Sequence, residues 1–423
     1  MSHSRKRAFL AIGAVAVAGL ALAGCSTDTS GSGSASAGAS TVTIVSSTTE
    51  PEQAVINLFE KQNPDISVKV VTAPAATYSQ VVATQLAGGT AADVIRAYPG
   101  NGSNLSVVQA TDKGFYSSLE GLSFVSKLPD SLKPVLTSAK GQVSAVPVTT
   151  SAIGGVYNKT VLDKNGLSIP TTWSQVMQYC SDAKAKGLIP FGLGLKDAWT
   201  GQFVPYALAA TLVPASVEKA IADGKETFEQ SQWKDVFTKY QQMKDAGCFT
   251  PQPNGTSYAN VSDSMVAGKT AGWVTLSSAV GEVTKASPSG TDIVFAAFPA
   301  TDDASQTVLS NGIGVVYALN SKSKNAASAK KLIDFFSTPS AQAAYSKSAN
   351  TSPALAVGSA EDSDPTNDVI AKYTAENKVS SWPDQLWPNP NVQQAHFDGV
   401  QGLFAGTKSV DQVLQGMDQA LKG

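Results

Sequence analysis

The sequence predicts an α/β fold distributed over two domains. Two observations carry that prediction. Between residues 41 and 97 apolar patterning switches from period two to helical period and back, giving strand, helix, strand, helix, strand, the order of an α/β unit with a largely parallel sheet. The chain has 423 residues, and the part beyond the N-terminal region is too long for one typical core.

Taken in order, residues 1–24 read as a secretory signal. Arg5, Lys6 and Arg7 precede an uncharged run from Ala8 to Ala23, and small residues lead to Cys25. The run falls short of the roughly 20 apolar residues that a permanent span needs. Leu22-Ala23-Gly24-Cys25 resembles a bacterial lipobox, which implies that Cys25 carries a lipid and holds the protein on the extracellular face of the cytoplasmic membrane. Residues 25–40 would then be the lipidated cysteine and a flexible Ser/Gly/Ala/Thr tether.

Thr41-Val42-Thr43-Ile44-Val45 alternates as a strand. Thr49, Pro51 and Glu52 read as the capped start of a helix with Ala54, Val55, Leu58 and Phe59 on one face, stopped by Asn63-Pro64-Asp65. Ile66, Val68 and Val70 form a second strand. A helix after Thr77 places Val81, Val82 and Leu86 inward and ends at Gly88-Gly89. Asp93-Val94-Ile95 opens a third strand. Ligands of such sheets bind beyond the strands' carboxyl ends. The candidate site loops are therefore Ser46, Ser47, Thr48, Thr49 and Glu50 after the first strand, and Tyr98, Asn101 and Ser103 after the third. Further on, residues 154–158 read as a strand, and Val176, Met177, Cys180 and Ala183 as the inner face of a helix. A short strand covers 189–193, and helices cover 203–213, 233–246, 326–336 and 410–421.

Net charge is −2, without a basic patch interleaved with aromatics, so nucleic acid is not an expected partner. Of two histidines, only His396 lies beyond the signal segment, no Gly-x-Ser-x-Gly elbow occurs, and no His/Cys spacing suits a metal. No cofactor is expected, and hydrolases built on histidine or zinc are disfavoured. Cys180 and Cys248 remain after Cys25. In an oxidising compartment a disulfide and two buried free thiols are both open readings.

Five segments in order resemble the family-1 extracellular solute-binding proteins, the group that includes maltose-binding protein. They are Phe59-Glu60-Lys61-Gln62-Asn63-Pro64-Asp65-Ile66-Ser67-Val68; Leu86-Ala87-Gly88-Gly89-Thr90-Ala91-Ala92-Asp93-Val94; Val156-Tyr157-Asn158-Lys159 with Pro170-Thr171-Thr172-Trp173; Met265-Val266-Ala267-Gly268-Lys269; and Ala329-Lys330-Lys331-Leu332-Ile333-Asp334-Phe335-Phe336. The resemblance implies a two-lobed periplasmic-binding-protein-like fold, with discontinuous lobes joined by hinge strands. Residues 41–148 plus 314–353 would form one lobe and 149–313 plus 354–423 the other. It also implies a monomeric, non-enzymatic binding protein of an ABC importer. Such a protein closes on a carbohydrate, an oligosaccharide by this reading, and delivers it to a membrane permease.

Sugars offer apolar C–H faces and a rim of hydroxyls, which call for loop aromatics and for carboxylates, amides or cations. Trp199 and Asp197, Trp382 and Trp387, Tyr98 and Trp273 are the aromatic and acidic candidates; Ser47, Glu50, Asn101 and Asn311 are the polar ones. Asp197 reads equally as a helix cap, and Arg96 as a hydroxyl donor or a buried ion-pair partner. Trp173 and Trp233 read as core. The competing readings are a polyamine, peptide or other non-sugar solute on the same fold, or a secreted carbohydrate-active enzyme using carboxylates such as Asp302-Asp303 or Glu361-Asp362-Ser363-Asp364.

Overall fold

A computed structural model describes residues 40–75, 77–128, 132–355 and 364–422. The expectations for residues 1–24, for Cys25 and for most of its tether, and for Glu361–Ser363, fall outside these. Among the described residues no helix is long and apolar enough to cross a membrane.

Among the described residues, ten strands form one sheet: β1 (Ser40–Ser46), β2 (Ile66–Thr72), β3 (Val94–Ala97), β4 (Ala145–Asn158), β5 (Ile189–Gly192), β6 (Thr270–Leu276), β7 (Ile293–Ala296), β8 (Leu309–Leu319), β9 (Ser352–Pro353) and β10 (Val379–Ser380). The main path runs β2-β1-β3-β8-β4-β6-β5. β1, β2 and β3 are parallel, as the repeated strand–helix pattern requires. β4 is the spine. Along one edge it pairs with β8 from Ala145 to Ile153 and then with β7; along the other it pairs with β9 at Thr149–Thr150 and then with β6.

Three hydrophobic clusters divide this sheet. The first takes β1–β3, Ala145 to Val148 of β4 and Ile313 to Leu319 of β8, covered by helices Glu50–Gln62, Tyr78–Gly88, Ala326–Phe336 and Pro339–Ala349. Beyond Ser151, the alternating residues of β4 point into two other clusters. Ile153 and Tyr157 join helices Trp173–Ala185, Phe203–Leu212, Trp233–Asp245, Pro390–Ala405 and Val410–Leu421. Ala152 and Val156 join β6, β7 and helices Tyr258–Val266 and Ala279–Ala286. Period two thus puts a core on each face of the second lobe's sheet. Between the lobes the β4–β8 register slips at Pro147, Thr149 and Thr150. A bulge bends a ladder without breaking it, so the two lobes share continuous strands that kink where the clusters change.

Helix Glu50–Gln62 buries Glu52, Val55, Ile56 and Phe59. Glu52 does not complete a capping box with Thr49, as the spacing suggested; Thr49 makes no side-chain cap bond. The Glu52 carboxylate is instead fully buried and accepts from Ser46 Oγ (2.5 Å), Thr48 Oγ1 (2.9 Å) and the Tyr317 hydroxyl (2.7 Å). Helix Tyr78–Gly88 buries Tyr78, Val82 and Leu86, but Val81 faces solvent; Tyr78 takes the inward position four residues before Val82. Cys180, in helix Trp173–Ala185, is bonded to Cys248, after helix Trp233–Asp245, with Cα atoms 5.0 Å apart. It ties those two helices to β5, which bridges Phe249 through Phe191.

Candidate functional site

The register fixes where the strand-end loops go. β3 runs antiparallel to β8 with Ala97 opposite Val316, so β1 and β3 point their carboxyl ends at the kinked crossing. In the other lobe, β6 runs antiparallel to β4 with Leu276 opposite Ile153, and β5 is parallel to β6. Their carboxyl ends point at the same crossing. Loops 46–50, 98–103, 193–199 and 277–278 therefore converge from both lobes on the hinge, where open α/β sheets place ligands.

On the first-lobe side, the Tyr78 hydroxyl donates to Val45 O (3.0 Å) and Arg96 O (2.7 Å), clamping the ends of β1 and β3 together. Arg96 donates from one guanidinium nitrogen to Ser47 Oγ at 2.7 Å, while its Nε is buried without a partner. Ser47 is thus held by a cation, and one N–H of that cation remains to be satisfied. Tyr98 is half-buried, edge-on to Tyr78 at 6.3 Å. Glu50 is exposed in the first helical turn. The Asn101 amide donates to Gln385 O at 3.2 Å, which engages its backbone.

On the second-lobe side, Trp199 is 41% exposed, the one aromatic among the large, exposed hydrophobic side chains of the described residues. It leans on Tyr258 (centroids 5.2 Å, planes at 30°) with Phe203 edge-on behind it. Tyr258 in turn packs on Trp273 at 4.6 Å. Asp197 fixes the arrangement by accepting the Tyr258 backbone N–H at 2.8 Å, so it caps the helix beginning at Tyr258 rather than the turn that comes next in sequence. The Tyr258 hydroxyl donates to Glu282 Oε2 (2.9 Å), and Ser262 donates to Glu282 Oε1 (2.9 Å). Burial raises the Tyr258 phenol pKa, with the Glu282 charge adding to it, so Tyr258 stays a neutral donor.

Two aromatic candidates are corrected by these positions. Trp387 is wholly buried, ringed by Tyr206, Phe228, Trp233 and His396, and has no face for a ligand. Trp273 is 2% exposed and supports Tyr258 from behind. Trp382 is half-buried on the hinge strand itself: a Cβ at Gly312 would lie 2.6 Å from its ring, so the indole rests on bare backbone. Trp382 Nε1 and Asn311 Oδ1 are both buried and unpartnered. The residues missed in sequence are Tyr258, Ser262 and Glu282. Tyr258 comes directly after the capping-box serine, Ser257, a position from which an aromatic can leave the periodic core face; that was the available signal.

Three carboxylates near these loops are engaged, while Glu50 is exposed and Asp384 keeps one oxygen without a partner. Asp197 and Glu282 hold Tyr258, and Glu52 lies under hydroxyls. At the far, amino end of β3, Asp93 accepts from Thr43, Ser323 and Asn325; burial opposes its charge, but these bonds outweigh it and hold the carboxyl below its ordinary range. No three His, Cys, Asp or Glu side chains gather into a metal-holding group among the described residues. Two depressions of about 250 Å³ lie elsewhere, one beside Phe59 and Phe335, the other between Thr227 and Lys422. Both are lined by side chains of surface helices and loops, without a strand end.

A model of the family described as bacterial extracellular solute-binding protein matches residues 46–343. The multiple sugar-binding protein of Streptococcus mutans is 30% identical over 146 residues, 34% of this chain and 33% of that protein. The match thus spans about a third of that relative's length. A binding protein of Brucella abortus, itself described as putative, is 25% identical over 372 residues, 86% of this chain and 87% of that one. A structure from work on xylan utilization by Caldanaerobius polysaccharolyticus superposes with a TM-score of 0.79 at 21% identity, covering 90% of this chain and 99% of that one. RafE in complex with raffinose gives 0.74 at 19% identity, with 90% and 98% covered. At such identities the likeness concerns the fold, which is the two-lobed, hinge-strand architecture described above.

Proposed function

The chain belongs to the bacterial extracellular solute-binding proteins, and we propose that it captures a carbohydrate, an oligosaccharide in particular, between its lobes and delivers it to the permease of an ABC importer. Closure would occur by bending at the β4–β8 kink, with lobes of 41–148 plus 314–353 and 149–313 plus 354–423. A lipid on Cys25 would keep the protein, as a monomer, at the outer face of the cytoplasmic membrane.

The observation that carries the reading is exposed Trp199 backed by Tyr258. Together they offer an apolar plane of the kind that covers a sugar's C–H face, at a strand-end loop facing the hinge. Half-buried Ser47 would supply a hydrogen-bonding hydroxyl, and Asn311 Oδ1 and Trp382 Nε1, buried and unpartnered at the hinge strand, would do so only once the lobes part. Sugar-named relatives and the raffinose complex of RafE support the same class. The engaged Asp197, Glu282 and Glu52 favour a neutral solute over a polyamine, whose ammonium groups would need more free carboxylate than exposed Glu50 supplies. They also speak against a glycosidase, which needs two carboxylates free to act on one bond. Asp302 accepts the Ser174 amide and Asp303 accepts from Ser305.

The test is a thermal-shift screen with mono- and oligosaccharides, using polyamines and peptides as controls. A ligand at 100 times its Kd adds about 2.7 kcal/mol. A shift with one group of sugars, reduced in Trp199→Ala, supports the reading. A shift with a control alone replaces the solute class, and turnover of chromogenic glycosides by the purified protein overturns the binding role.

A further inference from the structure

The turn Pro383–Gln385 and the two residues after it enter both lobes. Leu386 packs against the first-lobe cluster, whereas Trp387, the next residue, is wholly buried in a second-lobe cluster. Gln385 donates from Nε2 to Ile313 O on β8 at 2.9 Å, and its carbonyl accepts the Asn101 amide. The loop after β3 comes so close that a Cβ at Gly100 would lie 1.8 Å from Gln385 O. One at Gly102 would lie 2.8 Å from Asp384 O and 3.2 Å from its Oδ2. Gly100 also has φ +67°, so the contact is written into the backbone.

Asp384 lies at the centre of this contact. Its Oδ2 accepts from Gln393 Nε2 at 2.9 Å, while Oδ1 is buried without a hydrogen-bond partner. The titratable groups acting with it are the Tyr206 hydroxyl and the Glu218 carboxylate. His396, one turn beyond Gln393 on the same helix, is itself buried and uncharged. The 99–102 loop and the facing stretch of β8 bring no ionisable side chain, and no lysine or arginine acts on Asp384.

We propose that this turn is an interlobe clip whose grip on the Gly100–Gly102 loop is set by the protonation of Asp384. The protonated carboxyl holds the clip shut, and the carboxylate loosens it. The geometry gives the reason: an ionised group here is buried with no counter-charge, the Tyr206 hydroxyl and the Asp384 and Gln385 backbone N–H groups offset that only in part, and loosening of the contact lets water reach it. Burial accordingly pushes the carboxyl up to about 7. The clipped form holds a proton that the loosened form releases, between the ordinary carboxylate range and about 7. Across that window the ratio of clipped to loosened form falls about tenfold per pH unit and then levels off. The proposal rests on the two-lobed fold and not on the identity of the solute.

Amide hydrogen exchange of the full chain, followed by mass spectrometry, tests it. Protection of residues 98–107 is corrected for intrinsic exchange and compared with β2 as an internal control. The expected result is protection of 98–107 that falls about tenfold per unit from about pH 5.5 to 6.5, with little change in β2. Asp384→Asn should keep the acid-form protection at every pH, and Glu218→Gln should keep the wild-type slope. A flat wild-type profile overturns the proposal. So does an equal slope in both segments, or a slope removed by Glu218→Gln and retained in Asp384→Asn. If Asp384→Asn does not fold, the wild-type comparison of the two segments decides.

Discussion

The Asp197 carboxylate accepts the backbone N–H of Tyr258 at 2.8 Å, tying the loop that carries Trp199 to the helix that carries its stacking partner. A charged acceptor on a helix's first N–H is a strong local bond. Its loss would free the two rings to part. Asp197→Ala is expected to weaken binding of the responding sugar about tenfold, from a charge-assisted bond of about 1.5–3 kcal/mol. Asp197→Asn, which keeps an oxygen acceptor, should lose less. Titration calorimetry of both variants checks this; equal affinity in wild type and Asp197→Ala would falsify it.

Trp199 and Trp387 should separate binding from stability. Trp199 is exposed and Trp387 is sealed among aromatics. Trp199→Ala is expected to lower sugar affinity by about 1–2 kcal/mol and leave unfolding nearly unchanged. Trp387→Ala should cost about 3–5 kcal/mol of stability as a cavity mutation. Urea denaturation and calorimetry on the two variants give the comparison. A stability loss at Trp199 matching that at Trp387 would show Trp199 to be core.

These two tryptophans also show what sequence carried and what it did not. The exposure of Trp199 was legible because it comes after a strand in a short polar loop, off any periodic face. Trp382 and Trp387 lie in one proline-rich stretch and look alike. Only the helical turn Pro383–Gln385 sends one ring onto Gly312 and the other into the core. β1 and β2 were readable from alternation. The first half of β4 was not, because β4 is buried on both faces along nearly its whole length and so lacks a polar phase. That hidden half is part of the hinge. Tyr258, likewise, was masked by its place at the start of an amphipathic helix.

The Cys180–Cys248 bond closes a loop with a sequence separation of 68 residues, and both cysteines are fully buried. On the chain-entropy account such a loop contributes roughly 4 kcal/mol by restricting the unfolded chain. Replacing both cysteines with serine is expected to lower the urea midpoint markedly. Adding reductant to the native wild type should do little until the protein unfolds, since no thiolate can reach the bond. Midpoints with and without reductant, measured from native protein at short times, check both halves. Rapid reduction under native conditions would contradict the burial.

His396 offers a pH dependence with a definite sign. It is fully buried among Tyr206, Trp233, Phe237 and Trp387, neither ring nitrogen has a partner, and burial lowers its pKa to about 3. The unfolded chain takes up a proton there below its ordinary value of about 6.5, and the folded one does not. The stability His396 contributes is therefore complete above about pH 6.5 and is lost as pH falls, by about 1.4 kcal/mol per unit, toward the folded value. Asp384 and Glu218, both raised to about 7 by burial, act in the opposite sense: they favour the fold in acid and lose that contribution as pH rises through about 7. The wild-type profile mixes these slopes, so a difference measurement is needed. His396→Phe keeps an aromatic ring and forfeits no hydrogen bond. Its stability relative to wild type should rise steadily between about pH 6.5 and 4.5, by roughly 2–3 kcal/mol in all. A difference that stays constant over that range would mean that the native state protonates His396 as readily as the unfolded chain does.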